Sequence, residues 1–420
     1  MTKIVLINHS FQSDYYSRRW RLFAQKYKDV DITLLTPEVF DWYYQKSYTY
    51  KGAVRMEGHE EDCENFHIRT FKKKYRYSLI SDDFKRLLLE IKPDVVYHIG
   101  MHTQLSLVQI GRIVKKYLPK TKIILFSMRG PAMDNVWPRR FNTLKQYLKD
   151  VYLYFYKKPV LRYVNSHYDA IFCHYPEAVD CFRREGYKGR IYMQTQVGVN
   201  PEWFHPDEVS RKEIREKYNL GDSFVFGSAT RFTDDKGLEE IIEALPQSGN
   251  WKFLMMGTGS DAYILKIKEK IKSRGLEDKI ILPGFINSFE IAKYWNAIDC
   301  AVHVPQTTPF WVETFSLSVV QPMITSKPII GNTSGSVPYQ IGPEGMIVPE
   351  GNIKLLSEKM KWVLDNPQKA KLIGERMRDR AIKCFSVPQL NELFYKTIKE
   401  DILTGGYDEK KSDMTKWSEL

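Results

Sequence analysis

The chain has 420 residues, of which 43% are hydrophobic and 27% charged, long enough for two lobes of roughly 200 residues each and too apolar for a disordered chain. Its five cysteines, Cys63, Cys173, Cys181, Cys300 and Cys384, are scattered without the close pairs of a structural zinc site or redox motif. A disulfide mini-domain is excluded, and the cysteines read as free thiols in a reducing compartment. Lysine and arginine number 63 against 51 acidic residues, and the net charge of +12 favours phosphates, nucleic acid or an anionic membrane surface without choosing among them.

No run approaches about eighteen continuous apolar residues, and the opening MTKIVLINHSFQSD turns polar too soon for a signal peptide. The expectation is a cytoplasmic chain, with the inner face of the membrane as a place of peripheral contact. KIVLIN near the N-terminus and ITLLTP at 32–37 are short apolar runs flanking a stretch that suits a helix, a βαβ beginning. PDVVYHIG at 93–100 and KIILFS at 122–127 are further strands, separated by QLSLVQIGRIVKKYL with helical spacing. YDAIFCHY at 168–175 follows, then a helix through CFRREGY stopped by Gly186. Apolar strands alternating with helices predict a mostly parallel sheet covered on both faces.

A turn-rich stretch, VGVNPEWFHPDEVSRKEIREKYNLGD, places a lobe boundary within 195–220. The β/α alternation then restarts: SFVFGSAT, LEEIIEALPQ, WKFLMMGTG, YILKIKEKIKSRG, KIILPG, IAKYWNAI, DCAVHVP, LSVVQPMIT and KPIIGN. Two helices separated by Asn366-Pro367 come next, then a helix through VPQLNELFYKTIKEDIL and a charged tail from Thr404. The predicted architecture is α/β, two doubly wound parallel-sheet lobes facing across a cleft. The boundaries are drawn at 1–205 for the first lobe, 206–386 for the second, 387–403 for a helix crossing back to the first, and 404–420 for the tail.

Three signals in the second lobe suit phosphate and sugar. Arg231, Lys236 and Gly237 sit in a polar loop between a strand and a helix, where an arginine fork and a lysine point charge can hold the two phosphoryl groups of a diphosphate; two solvated loop charges are the alternative. Gly257 and Gly259 follow the next strand, where small residues admit a ligand to the backbone or simply make a turn. Glu313 stands ahead of a helix carrying Gln321. A carboxylate and an amide can orient sugar hydroxyls, or can be a charge at a helix N-terminus and a surface amide. About 12 Å of helical rise over eight positions suits opposite ends of one nucleotide sugar better than adjacent catalytic groups.

GVNPEWFHP, RFTDDKG, MGTGS, LPGF, WNAIDCAVHVP and ETFSLSVVQPMITSKPIIGNTSGSVP, in that order over 195–350, make this lobe resemble the nucleotide-sugar-binding half of a family 4 (group 1) retaining glycosyltransferase with the GT-B fold. The resemblance implies a hexosyltransferase-like enzyme with two Rossmann-like lobes. It would transfer a sugar from a nucleotide-sugar donor to a glycan or lipid-linked saccharide in cell-surface polysaccharide or glycoconjugate synthesis. It further implies that Arg231 and Lys236 hold the donor diphosphate, with Glu313 near the transferred sugar as the first acid of the family's paired-glutamate motif. Gly257, Gly259 and Gln321 would contact the nucleotide. Gln321 stands where the family commonly has a ribose-binding glutamate, which keeps hydrogen bonding but removes a carboxylate. No cofactor and no dedicated metal site are implied. A UDP-sugar is the favoured donor and a GDP-sugar the alternative.

The first lobe departs from the family pattern. His9 and Ser10 follow the first strand where relatives carry glycines, and Arg129 and Gly130 stand where many relatives place a histidine near the acceptor. An arginine can orient an acceptor or phosphate but cannot act as a neutral general base. His98 and His102, read as lying beyond a strand end, and His174 are further candidates for the acceptor side of the cleft or ordinary loop partners. FKKKYRYSLISDDFKR and the segment 139–164 interleave cations with aromatic residues, which suits an anionic membrane surface or, for 139–164, a buried helix with a solvated cationic face. Nucleic-acid binding would explain the charge but not the ordered motifs of the second lobe. A glycosyltransferase-like protein that binds sugar nucleotides without turnover is the other reading kept open by Gln321 and Arg129.

Overall fold

The computed structural model describes residues 1–8, 11, 14–40, 54–55, 63–72, 81–101, 103–127, 144–308 and 311–405. They fall into two compact units, one drawn from residues 1–197 and 390–405, the other from Gly198–Gln389.

In the first unit the strands are β1 (Thr2–Ile7), β2 (Val30–Pro37), β3 (Val39–Phe40), β4 (Val54–Arg55), β5 (Phe66–Phe71), β6 (Val95–Gly100), β7 (Lys122–Ser127), β8 (Ala170–Cys173) and β9 (Arg190–Met193). Seven of them form one parallel sheet in the order β5-β2-β1-β6-β7-β8-β9, while β3 and β4 make a short antiparallel pair. The helices are α1 (Asp14–Lys26), α2 (Asp82–Ile91), α3 (Leu105–Tyr117), α4 (Leu144–His167) and α5 (Pro176–Arg184). Local chemistry sets several ends: the Ser81 hydroxyl accepts from Phe84 N–H at 3.1 Å at the start of α2, and Asp82 and Asp83 complement the helix dipole there. Pro176 opens α5 and Gly186, at φ 84°, lies just past its end.

The second unit carries β10 (Phe224–Ala229), β11 (Trp251–Met256), β12 (Ile280–Gly284), β13 (Cys300–His303), β14 (Ile329–Asn332) and β15 (Met346–Val348). They form a parallel sheet in the order β12-β11-β10-β13-β14-β15. Its helices are α6 (Glu208–Lys217), α7 (Leu238–Ala244), α8 (Asp261–Ser273), α9 (Ile291–Ala297), α10 (Leu317–Ile324), α11 (Val337–Ile341), α12 (Ile353–Asp365) and α13 (Pro367–Phe385). Because side chains alternate along a strand, Phe226 and Phe253 pack with Ile267 and Met360 on one face. Val225 and Leu254 pack with Trp295, Met323 and Met377 on the other. Apolar strands therefore need helices on both faces, the arrangement of a doubly wound sheet.

Helix α14 (Val387–Lys396) and the π-helical turn Thr397–Ile402 close the described chain. Phe394 of α14 lies in the first unit's core, 5.0 Å from Trp20 and 5.4 Å from Tyr97 between ring centroids. The units divide at 197/198 and again at 389/390, whereas the sequence suggested 205/206 and 386/387. At the second boundary backbone pairing accounts for the difference: Val199 exchanges hydrogen bonds with Phe385 and Val387, both 3.0 Å, which holds the chain on either side of 386/387 in the second unit. In the first unit, buried Arg19 donates to the carbonyls of Thr195 (3.1 Å) and Leu390 (3.2 Å) and to Asn391 Oδ1 (3.0 Å), and also reaches the Gln196 carbonyl. Burial pulls its guanidinium down to about 10, which leaves it charged near neutrality.

The candidate donor site

In an open parallel sheet the strands run outward in opposite directions from one point, and the crevice at their carboxyl ends there is where ligands bind. In the second unit that point lies between β10 and β13, paired through Phe226 with Cys300 and Gly227 with Ala301. The loop after β10 carries Arg231 and a single 3-10 turn, Asp234–Lys236. His303 is the last residue of β13, and the loop beyond it carries Trp311 and Glu313 ahead of α10.

Lys236, Glu313, His303 and Trp311 meet in one cluster. Lys236 Nζ lies 3.1 Å from Glu313 Oε2 and 3.5 Å from Asp235 Oδ2. It also sits 3.7 Å from the centre of the Trp311 ring, so the aromatic face supplies a third favourable contact to the ammonium. Only 7% of Lys236 and 8% of Glu313 is exposed, so Lys236 is not a solvated loop charge, whereas Arg231 is only half-buried. His303 Nε2 is 3.5 Å from the same Glu313 oxygen, within ion-pair range but longer than a normal hydrogen bond. Burial pushes the Glu313 carboxyl up, yet the His303 contact and the Lys236 charge outweigh it and hold the carboxyl below its ordinary range.

The glycines shape the loops around this cluster. Gly237 has φ 65°, and a Cβ there would stand 2.0 Å from the Val304 carbonyl. A Cβ on Gly257, at φ 134°, would stand 1.8 Å from the Thr230 carbonyl, and one on Gly259 2.1 Å from that of Phe232. The loops approach this closely because they hydrogen-bond: Thr230 N–H donates to Met256 (3.0 Å) and Phe232 N–H to Thr258 (2.9 Å). The visible role of Gly257 and Gly259 is thus to let the Arg231 loop lie against the loop after β11. Arg231 is half-buried between Thr230 and Phe232.

Gln321 is not a surface amide. It is 6% exposed on α10, and its Oε1 accepts from Trp295 Nε1–H at 3.0 Å in the core against α9. Beyond β13, Gln306 donates to Glu240 Oε2 at 2.6 Å and Thr307 to Glu350 Oε1 at 2.5 Å. Burial, with Glu350 and Glu239 nearby, pushes the Glu240 carboxyl up.

In the first unit the corresponding reversal lies between β1 and β6. His98 sits within β6, not beyond its end: β6 runs on to Gly100, and His98 is paired between Ile7 and Leu125 and fully buried. Asn8, just past β1, donates to the Ile99 carbonyl at 3.1 Å. His174 Nδ1 is 3.1 Å from Thr195 Oγ1. His9, His102 and Arg129 lie outside the described residues. So do much of 71–86 and the start of 139–164, whose described remainder is α4, with Leu144, Leu148 and Phe155 exposed. Among the described residues no group of His, Cys, Asp and Glu is arranged to hold a metal ion. No described helix is long and apolar enough to cross a membrane.

Sequence reasoning brought Lys236 and Glu313 into one site but missed His303 and Trp311. A histidine ending an otherwise apolar strand, CAVH, and a tryptophan two residues before the key glutamate were the available signals.

Residues 210–380 match the family described as glycosyl transferases group 1. An alpha-D-kanosaminyltransferase of Streptomyces kanamyceticus is 26% identical over 180 residues, covering 41% of this chain and 44% of that protein. A GDP-mannose-dependent alpha-(1-6)-phosphatidylinositol monomannoside mannosyltransferase of Mycolicibacterium smegmatis is 22% identical over 191 residues, covering 44% and 50%. The chain thus spans about half the length of the curated relatives it matches. Among solved structures, sucrose-phosphate synthase of Thermosynechococcus elongatus superposes with a TM-score of 0.69 at 17% identity, over 95% of this chain and 99% of that one. Anabaena HepE in complex with UDP and glucose does so with 0.66 at 15% identity, over 95% and 99%. Two parallel sheets, each flanked by helices, and the superposition on both solved structures give one conclusion: the chain has the GT-B fold of two Rossmann-like lobes, and its stretch 210–380 matches the glycosyl transferases group 1 family.

Proposed function

We propose that the protein is a retaining glycosyltransferase that moves a sugar from a nucleotide-sugar donor to a glycan or lipid-linked saccharide acceptor. The observation that carries this reading is the buried Lys236–Glu313 pair at the point where the strand order of the second sheet reverses. A lysine buried there against a carboxylate and an aromatic face is a preorganised cation for an anionic leaving group, and preorganised charge is what stabilises developing charge most effectively. Lys236 and Arg231 hold the donor diphosphate, and Glu313 orients the transferred sugar.

In the proposed reaction the bond from the anomeric carbon to the phosphate oxygen breaks through an oxocarbenium-like transition state. The acceptor oxygen bonds to that carbon from the same face, and its proton passes to the departing phosphate. No side chain forms a covalent intermediate, so the protein's contribution is positioning and charge stabilisation. A UDP-sugar is the preferred donor and a GDP-sugar the alternative, the mycolicibacterial relative being described as GDP-mannose-dependent. Gln321, bonded to Trp295 in place of the expected glutamate, favours a second reading, a protein that binds sugar nucleotides without turnover.

A transfer assay with UDP- and GDP-sugars and oligosaccharide or lipid-linked acceptors, read by nucleoside diphosphate release and by the product anomer in NMR, tests the proposal. Retained anomeric configuration is expected. An inverted product contradicts the mechanism, and saturable binding without release supports the second reading.

A further inference from the structure

His303 presents an unexplained buried nitrogen. Its side chain is 3% exposed, and Nε2 has no hydrogen-bond partner among the described residues, although a polar atom left unsatisfied in a core is costly. That nitrogen is aimed at Glu313 Oε2, 3.5 Å away, the same oxygen that Lys236 Nζ occupies at 3.1 Å. One carboxylate oxygen thus faces two nitrogens, of which one is bonded and the other stands just too far away.

The charges around the imidazole are few. From the loop before α10 it faces Glu313, and from the turn after β10 come Lys236 and, through Lys236, Asp235. On β14 its neighbour is Gly331, which brings no charge. Further along its own chain, Gln306 and Thr307 engage Glu240 and Glu350. At rest, Lys236 is balanced by two carboxylates and capped by the Trp311 ring. A diphosphate arriving at Lys236 adds negative charge and draws the ammonium away from Glu313. A buried carboxylate cannot be left without a partner, and among the described residues His303 Nε2 already stands 3.5 Å from it.

We propose that His303 is a positioning residue that takes over Glu313 when the donor diphosphate recruits Lys236, and that donor binding is thereby linked to uptake of a proton at His303. The inference rests on the donor-site reading above. The proton comes from solvent and adds to the imidazole, which then donates Nε2–H to Glu313 Oε2. No covalent bond in the donor changes. The arrangement keeps Glu313 ionised and fixed in place while the lysine serves the phosphate. Histidine is suited to this because its ring nitrogen can take a proton and then donate it in a hydrogen bond to a carboxylate.

The test is calorimetry of UDP-glucose and GDP-mannose binding in buffers of different ionisation enthalpy, between about pH 6 and pH 8. Sugar nucleotides are the right probes, because a terminal phosphate titrates near about pH 6 and would contribute its own proton. Wild type is expected to take up a fraction of a proton, with affinity falling as pH rises by up to about tenfold per unit. His303→Gln keeps a neutral polar group but cannot take up the proton, so it is expected to bind with no uptake and a flat pH dependence. Glu313→Gln removes the charge that favours the imidazolium and is expected to lose the uptake as well, which keeps the proposal testable if His303→Gln folds poorly. Binding by wild type without proton uptake, or uptake preserved in either folded variant, overturns this inference and leaves the donor site standing. Absence of saturable binding to any sugar nucleotide overturns the donor-site reading and this inference together.

Discussion

Lys236 Nζ and Glu313 Oε2, 77 positions apart in sequence, form a 3.1 Å ion pair in which both side chains are almost wholly buried. Removing one member of such a pair leaves the other charged and desolvated, a loss of about 3–5 kcal/mol. Lys236→Ala should therefore destabilise the second unit by about that amount in urea unfolding. Lys236→Ala combined with Glu313→Gln should recover part of the loss, because the buried Glu313 carboxylate is no longer left charged without the lysine. Equal stability of the single and double variants would contradict the pairing.

The same pair has a signature at low pH. The Glu313 carboxyl is held below its ordinary value in the folded chain, so its stabilising contribution is fully present above about pH 4.3, the ordinary glutamate value, and is lost as pH falls through the lowered folded value. Glu313→Gln lacks this component. Its stability should change less steeply with pH below about 4.3 than that of wild type, as measured by acid titration of circular dichroism.

Gly257 and Gly275 separate two costs of a missing side chain. Both have positive φ, but a Cβ on Gly257 would strike the Thr230 carbonyl, whereas one on Gly275 would meet nothing within 4 Å. Gly275→Ala should cost about 1 kcal/mol from the backbone alone. Gly257→Ala should cost more, and should displace the Arg231 loop and weaken sugar-nucleotide binding. Thermal unfolding and binding calorimetry on the two variants check the contrast.

How much of this was readable in advance depends on the length and purity of each signal. KIILFS is an unbroken apolar run, and the strand it predicts is β7, Lys122–Ser127. FHIRTF mixes a histidine, an arginine and a threonine into the edge strand β5, RIYM of β9 opens on an arginine at the other edge, and β15 is only three residues long, so none of them announced itself. Lys236 and Glu313 were legible as types in a loop. The approach of His303 to Glu313 was not, because it follows from β10 lying beside β13 while β11 and β12 extend to the other side. Local periodicity carries no information about that neighbour relation.

Gln321 shows the opposite limit. The sequence marked it as a departure from a glutamate, and the fold shows what the amide does locally: it accepts from Trp295 Nε1–H. Gln321→Leu should leave that indole N–H unpaired in the core, at a cost of about 1–3 kcal/mol, with a shift in tryptophan fluorescence. Unchanged melting and emission would contradict the bond.

The most direct measurement is calorimetric titration of UDP-, GDP- and ADP-sugars into wild type and into the Arg231→Ala/Lys236→Ala variant, with circular dichroism confirming that the variant is folded. The donor-site account predicts saturable binding of at least one sugar nucleotide by wild type and its loss in the folded variant. Undiminished binding by the variant, or none by wild type, would contradict it.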